Sequence, residues 1–164
     1  RPEVVNQRER LGDWEVDTVV GKNQQGALVS LVERKSRYTL LGLVQRRQAD
    51  LVKQAVLSLL LPLTDRVLSI TSDNGKEFAE HVQIAEALQA AFYFSHPYSA
   101  WERGTNENTN GLIRQYFPKG SDFLSVTETV PVSVTDKLNH RPRKCLDFKT
   151  PFEVFFHQPV ALDT

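Results

Sequence analysis

Three acidic residues, Asp17, Asp73 and Glu107, stand where side chains from different structural elements can meet. Asp17 lies inside an apolar segment, Asp73 directly follows another, and Glu107 opens a polar one. Magnesium takes oxygen ligands in octahedral geometry and keeps several waters, so three carboxylates can hold two ions. Two ions about 3.5–4 Å apart can clamp a phosphodiester between its attacking and leaving oxygens. The acids therefore predict phosphodiester chemistry with two Mg²⁺ ions as cofactor, for which Mn²⁺ can substitute.

Each acid also has an ordinary structural explanation. Asp17 could be an exposed acid on an edge strand. Asp73 begins an Asp-Asn-Gly sequence, which is common turn chemistry, and it could instead cap the following helix. Glu107 lies in a first helical turn, where the helix dipole favours negative charge. Asparagine at 106, 108 and 110 weakens that helix, which indicates selection for something other than stability.

The elements that must position these acids follow from hydrophobic patterning. It predicts five strands, at 13–20, 27–33, 38–44, 67–71 and 92–95. It predicts helices as well, at 51–61 (capped by Asp50), 76–90, 104–116, 126–139, and a short last one opening at Thr150. Short turns join the first three strands and helices separate the others, so we expect three antiparallel strands and then two parallel ones. This α/β order, a five-stranded mixed sheet flanked by helices, is that of the ribonuclease-H-like fold.

Composition limits the class of protein. The 164 residues suffice for one domain, and no apolar run approaches the roughly 18 residues that span a bilayer. Twenty basic and twenty acidic residues balance, which argues against tight DNA binding by this chain alone. A lone Cys145 indicates a reducing, cytoplasmic setting, and the lack of methionine suggests a piece of a longer polypeptide. Basic clusters at 34–37, 46–47 and 141–144 face either DNA or solvent, depending on where they lie relative to the acids.

Three segments resemble the signatures of DDE transposases, most of all those of the bacterial "insertion sequence thirty" family: residues 14–17 (WEVD), 71–78 (TSDNGKEF) and 104–112 (GTNENTNGL). The 33 residues between Asp73 and Glu107 are close to the spacing that this family shares with retroviral integrases. The Gly-x-x-Glu-x-x-Asn pattern from Gly104 also resembles the integrase helix. Nearly the whole chain takes part, since further matching segments lie at 113–120, 138–144 and 150–155.

The resemblance implies a catalytic triad of Asp17, Asp73 and Glu107, and the glycine and asparagine of the helix pattern favour Glu107 over Glu102. It implies that residues 1–164 form an integrase-type catalytic core without the N-terminal region that reads the element's terminal repeats. The implied activity is DNA cleavage at transposon ends and strand transfer into target DNA, by a homodimer or higher oligomer in a bacterial cytoplasm. Two alternatives stay open: a ribonuclease-H-like nuclease that cuts without joining, and a DNA-binding scaffold that no longer reacts.

Helical spacing places Glu107, Asn110, Gly111 and Arg114 on one face. We expect Asn110 and Arg114 to contact DNA, Arg114 at a phosphate, with a solvated surface arginine as the alternative. Gly111 would let the DNA backbone approach closely.

Other residues are expected to support the site or to contact DNA. Asn74 and Glu77 flank Asp73, and we expect them to support or pack against the metal ligands rather than to bind metal. Tyr98 and Trp101 could stack on DNA bases or pin the loop before the third acid. Further candidate contacts to the DNA backbone are Lys119, Arg141, Arg143 and Lys144.

Overall fold

A computed structural model describes residues 1–96 and 104–157, without the side chains at positions 106 and 107. Its strands are β1 Asp13–Val20, β2 Ala27–Glu33, β3 Thr39–Val44, β4 Ser69–Ser72 and β5 Ala91–Phe94. They form one sheet in the order β3-β2-β1-β4-β5. Strands β1, β2 and β3 pair antiparallel, whereas β4 pairs parallel with both β1 and β5. The predicted five-stranded mixed sheet of the ribonuclease-H-like fold is confirmed.

Helices cover both faces of this sheet. Over the described ranges they are α1 Glu3–Asn6, α2 Ala49–Leu60, α3 His81–Leu88, α4 Gly104–Tyr116, α5 Thr129–Asn139 and α6 Pro151–Phe156. None of these helices is long and apolar enough to cross a membrane.

Alternation along β1 divides the apolar core into two clusters, one on each face of the sheet. Trp14 and Val16 pack with residues of α2, α3 and α6. Val19 packs on the other face, with Ile113 of α4 and Leu138 of α5. Strand β2 is buried along its whole length because both of its faces are covered. Glu15 and Asp17, which alternate with Trp14 and Val16, therefore point to the side of the sheet that α4 covers.

Three predicted helices begin or divide differently in the structure. The first starts at Ala49 after Gln48, so Asp50 lies in its first turn. The prediction that Asp50 is its N-cap was wrong. The helix predicted at 76–90 is a 3-10 turn, Lys76–Phe78, followed by α3, because Glu80 leaves helical geometry. The helix predicted at 126–139 begins only at Thr129. Pro131 is thus its third residue, where the backbone needs no intrahelical N–H donor.

The last helix begins as its sequence predicts. The Thr150 hydroxyl accepts from the Glu153 N–H, and the Glu153 carboxylate accepts in return from the Thr150 N–H, a reciprocal capping box. Phe155 from this helix is fully buried. Its ring meets Trp14 edge-on with centroids 5.6 Å apart and stacks on Tyr38 at 4.4 Å. Helix α6 therefore anchors the start of β1, the strand that carries Asp17.

Candidate active site

The register of the two central parallel strands brings Asp17 and Asp73 side by side. Glu15 of β1 pairs with Thr71 of β4, and each aspartate lies two residues further along its chain. Adjacent strands are about 4.7–4.9 Å apart, so the two aspartates lie close together at the same level along the strand direction. Both are partly exposed, unlike Glu15 and Thr71, which are fully buried. Two of the three predicted ligands are thus neighbours on adjacent segments of the sheet.

The Asp17 carboxylate links strand β1 to helix α4. Its Oδ1 accepts a hydrogen bond from the Thr18 N–H at 2.8 Å, and its Oδ2 accepts one from Asn110 Nδ2 at 2.9 Å. The other polar atom of that amide, Asn110 Oδ1, is buried without a hydrogen-bond partner among the described residues. An oxygen in this position is a suitable partner for a cation or for a hydrogen-bond donor on a ligand.

The Asp73 carboxylate shapes the turn that follows β4. Its Oδ1 accepts from the Gly75 N–H at 2.8 Å, the turn chemistry that the Asp-Asn-Gly sequence predicts. A Cβ at Gly75 would stand 2.8 Å from that same oxygen and 2.5 Å from Glu77 Oε2. A residue with a Cβ at this position would displace the ends of these two carboxylates. Asn74, the other predicted supporting residue, is exposed.

Glu77 is a further acid at this site, beside Asp73, and its side chain is only 5% exposed. Its Oε1 accepts from the Thr18 hydroxyl at 3.3 Å, and its Oε2 lies 3.6 Å from Arg47 Nη2. Asp17, Asp73 and Glu77 are called the acid cluster below. Sequence reasoning found these three acids and named the basic pair at 46–47, but it did not predict that Thr18 and Arg47 contact Glu77, because these contacts join segments distant in the chain.

Position 107 lies in the first turn of α4, one turn before Asn110. The Glu107 side chain lies outside what the structure describes, as do Glu102, Tyr98 and Trp101 entirely. Among the side chains that are described, no three His, Cys, Asp or Glu residues group as a metal site. The predicted ligand set is therefore represented by its two aspartates and by the position of the helix that carries the glutamate.

Helix α4 is fastened to the sheet at its start. Arg37, in the turn between β2 and β3, donates from Nη1 to the buried Thr105 hydroxyl at 2.6 Å. The Thr109 hydroxyl donates to the Thr105 carbonyl at 3.0 Å, and Ile113 is fully buried one turn further on. These contacts hold the backbone on both sides of position 107. No atom of the described residues lies within 4 Å of a Cβ built on Gly111.

The predicted DNA contacts lie in different environments. Arg114 donates weakly, at 3.3–3.5 Å, to the carbonyls of Phe117, Pro118 and Val20, so it rests against the end of β1. Lys119 is exposed nearby in sequence.

The basic segment at 141–144 is divided between surface and interior. Arg143 is buried and donates to the Leu138 carbonyl at 2.9 Å, and burial lowers its pKa. Arg141 donates to the Tyr116 hydroxyl at 3.1 Å, and Lys144 is exposed. Arg143 therefore packs against the C-terminal end of α5 from the interior.

Comparison with known proteins agrees with this geometry. Residues 7–100 match the family described as "Integrase core domain". The transposase for insertion sequence element IS4351 of Bacteroides fragilis is 46% identical over 155 residues, which make up 94% of this chain and 48% of the relative. The transposase InsI for insertion sequence element IS30A of Escherichia coli K12 is 42% identical over 159 residues, covering 96% of this chain and 41% of the relative. The chain thus spans about half the length of these curated relatives.

Solved structures share the fold. The catalytic core domain of BIV integrase superposes with a TM-score of 0.70 at 21% identity, covering 90% of this chain and 95% of the other. The HTLV-2 integrase catalytic core domain in complex with magnesium gives 0.68 at 18% identity, covering 88% and 95%. The resemblance to insertion sequence transposases is confirmed by the curated relatives, and the fold by these cores. Matched by its family model over more than half of its length, this chain belongs to the integrase core domain family.

Proposed function

We propose that this chain is the catalytic core of a DDE transposase, which cleaves DNA strands at transposon ends and transfers them into target DNA. The observation that carries the proposal is the placement of Asp17 within β1 and of Asp73 directly after the adjacent parallel strand β4, with Asn110 of α4 hydrogen-bonded to Asp17. Asn110 lies one turn after Glu107, and residues three apart share a helix face. This supports Glu107 as the third member of the catalytic triad.

The donor set suits a hard divalent cation. Asp17 and Asp73 offer carboxylate oxygens, and the buried Asn110 Oδ1 offers one more. We propose that Asp17, Asp73 and Glu107 hold two Mg²⁺ ions, with Mn²⁺ as a substitute; the HTLV-2 core of the same fold was solved with magnesium. Bound ions of this kind polarise the scissile phosphate and stabilise the charge on both reacting oxygens.

The protein's own groups orient this chemistry. Thr18 and Asn110 hold the Asp17 carboxylate in one orientation, and the Gly75 N–H does so for Asp73. Water as the nucleophile would break the phosphodiester at the element's end and leave a 3′ hydroxyl. That hydroxyl, attacking a target phosphodiester in line, would form the new bond while the target's own 3′ oxygen leaves.

Partners follow from this reaction. We propose terminal repeats and target DNA as the substrates, in a bacterial cytoplasm, and a homodimer or higher oligomer as the active form, because two ends must be held together. Structures of the same fold were solved as an intasome and in dimeric and trimeric forms. The net charge of zero supports placing the recognition of the repeats in a region outside residues 1–164.

Carboxamide substitutions test the triad. Asp17→Asn, Asp73→Asn and Glu107→Gln should each lower Mg²⁺-dependent DNA cleavage by at least about 10²–10³-fold, because each removes charge stabilisation from the transition state. Glu86→Gln, at an exposed position of α3, is the matched control and should retain activity. Full cleavage by any triad variant would remove that residue from the proposal. Strand transfer from pre-cleaved ends distinguishes a transposase from a nuclease that only cuts.

A further inference from the structure

The segment between β3 and α2, residues 45–48, leaves the sheet at the end where the acid cluster lies. Val44, the last residue of β3, pairs with Ala27, and Ala27 pairs with Val20 at the end of β1. Strand β4 runs parallel to β1, so Asp73, which directly follows β4, lies toward the same end of the sheet as Val20. From the connecting segment, Arg47 reaches back to the acid cluster and places Nη2 3.6 Å from Glu77 Oε2.

The ion pair between Arg47 and Glu77 is long, and only its cation is exposed to solvent. The Arg47 side chain is 47% exposed, whereas that of Glu77 is 5% exposed. Strong charge-assisted hydrogen bonds are shorter, about 2.7–2.9 Å, and solvent screens the half-exposed guanidinium of this pair. A guanidinium carries five N–H donors in a planar fork, so an arginine that is half in solvent presents donors outward. The contact orients Arg47 more than it stabilises the fold.

Arg47 is held beside two carboxylates. Glu77 Oε2, which it faces, and Asp73 Oδ1 lie within 2.5 and 2.8 Å of one point, the position of a Cβ on Gly75. A group of carboxylates repels the phosphates of DNA, so a cation at its edge lowers the cost of bringing the strand in. The other arginines near the site differ, since Arg37 donates to Thr105 and Arg114 rests on backbone carbonyls.

We propose that Arg47 binds a phosphate of the DNA strand held at the acid cluster, and that Glu77 holds its guanidinium in place before DNA arrives. The inference rests on the proposed function, since it assigns a further DNA contact to the same site. Guanidinium groups recognise phosphate with two parallel hydrogen bonds, which a lysine at this position would not reproduce. Glu77 thereby acts as a positioning residue for Arg47, in addition to its bond with Thr18.

Salt-dependent DNA binding by the whole protein tests the contact. A labelled DNA duplex would be titrated in Ca²⁺ at several salt concentrations. Loss of one phosphate contact in Arg47→Ala should weaken binding about tenfold and reduce the slope of log K against log salt by about 1. Arg47→Lys should keep the slope but bind several-fold more weakly. Lys53→Ala is the control, because Lys53 forms a similar 3.5 Å pair with Glu80 and should bind as the wild type does.

A second background separates phosphate binding from simple neutralisation of Glu77. If Arg47 binds phosphate, Arg47→Ala should reduce the salt slope by the same amount when Glu77 is already Gln. An effect that disappears in the Glu77→Gln background, or an Arg47→Ala slope equal to wild type, overturns the phosphate contact. Wild-type DNA cleavage is measured in parallel: cleavage with an unchanged Arg47→Ala slope overturns this inference alone, whereas no wild-type cleavage in Mg²⁺ overturns the proposed function.

Discussion

Acids at the start of strand β1 and acids further along the sheet lie in different surroundings. Asp13 and Glu15, near the start, are fully buried, and so is Glu33 of β2, which pairs with Trp14. Asp17, two residues after Glu15 on the same face, is partly exposed, as is Asp73 beside it. The part of the sheet that holds Asp13, Glu15 and Glu33 is called the closed end below. The part that holds Asp17 and Asp73 is called the open end.

Several donors surround two acids of the closed end, Asp13 and Glu33. Asp13 accepts two hydrogen bonds from Arg10, at 2.8 and 2.9 Å, and one from the Ser69 hydroxyl. Glu33 accepts from the backbone and the hydroxyl of Ser36, both at 2.7 Å. A buried charge needs such compensation, because removing it from water costs several kcal/mol otherwise. These acids are therefore part of the structure.

Glu15 is compensated by a cation of its own. Arg34 Nη1 lies 3.1 Å from its carboxylate, with both side chains nearly or fully buried. Burial lowers the pKa of Arg34, while Glu15 opposes that change. At the open end, Asp17 accepts from the N–H of Thr18 and the amide of Asn110, and Asp73 accepts from the N–H of Gly75. Burial, rather than residue type, thus distinguishes the acids that belong to the structure from Asp17 and Asp73, which are partly exposed and suited to bind cations.

Breaking the closed end should have the largest effect on stability. Arg34→Met leaves the Glu15 carboxylate buried without its cation, which should lower the free energy of unfolding by about 3–5 kcal/mol. Urea denaturation measures this loss. Adding Glu15→Leu should restore much of it, because an apolar pair of similar volume needs no compensation. A single Arg34→Met variant as stable as the wild type would contradict the distinction between the two ends.

At the open end, the expected effect moves from stability to metal binding. Asn110→Ala removes the group that orients Asp17, and loss of such a supporting bond should weaken Mn²⁺ binding about 10–100-fold. Isothermal titration calorimetry measures the affinity. Asn108→Ala, an exposed position on the same helix, is the control and should bind Mn²⁺ like the wild type. Equal affinity in Asn110→Ala would show that this amide does not position the ligand.

The smallest effect is expected from crowding the acid cluster. Gly75→Ala would place a methyl group 2.5 Å from Glu77 and 2.8 Å from Asp73, so the carboxylates must move apart. Misplaced ligands should slow DNA cleavage about tenfold, equivalent to about 1.4 kcal/mol in the barrier. Gly42→Ala meets a Leu59 methyl at 3.2 Å and controls for packing alone. Unchanged cleavage by Gly75→Ala, at full metal occupancy, would mean that the cluster tolerates displacement.

Much of this arrangement could be predicted from sequence. The strands at 13–20 and 27–33 and the helix at 104–116 have the predicted bounds, because local alternation, helical periodicity and a following proline signal them directly. The division of the helix at 76–90 was missed, since a 3-10 turn with buried Glu77 and Phe78 depends on neighbours distant in sequence. The burial of Arg143 was missed for the same reason, because the sequence of a basic segment is the same whether its side chains are exposed or buried.

The sequence by itself determined the order of strands and helices, the acids that could react and the glycine between two of them. Those depend on local patterns, which act over a few residues. Only the tertiary structure decided which acids are buried and which are partly exposed, and it brought Arg47 to Glu77 and Asn110 to Asp17. The physical reason is that a charge's role depends on the donors and solvent around it, and Arg47 and Asn110 come from 30 and 93 residues away along the chain.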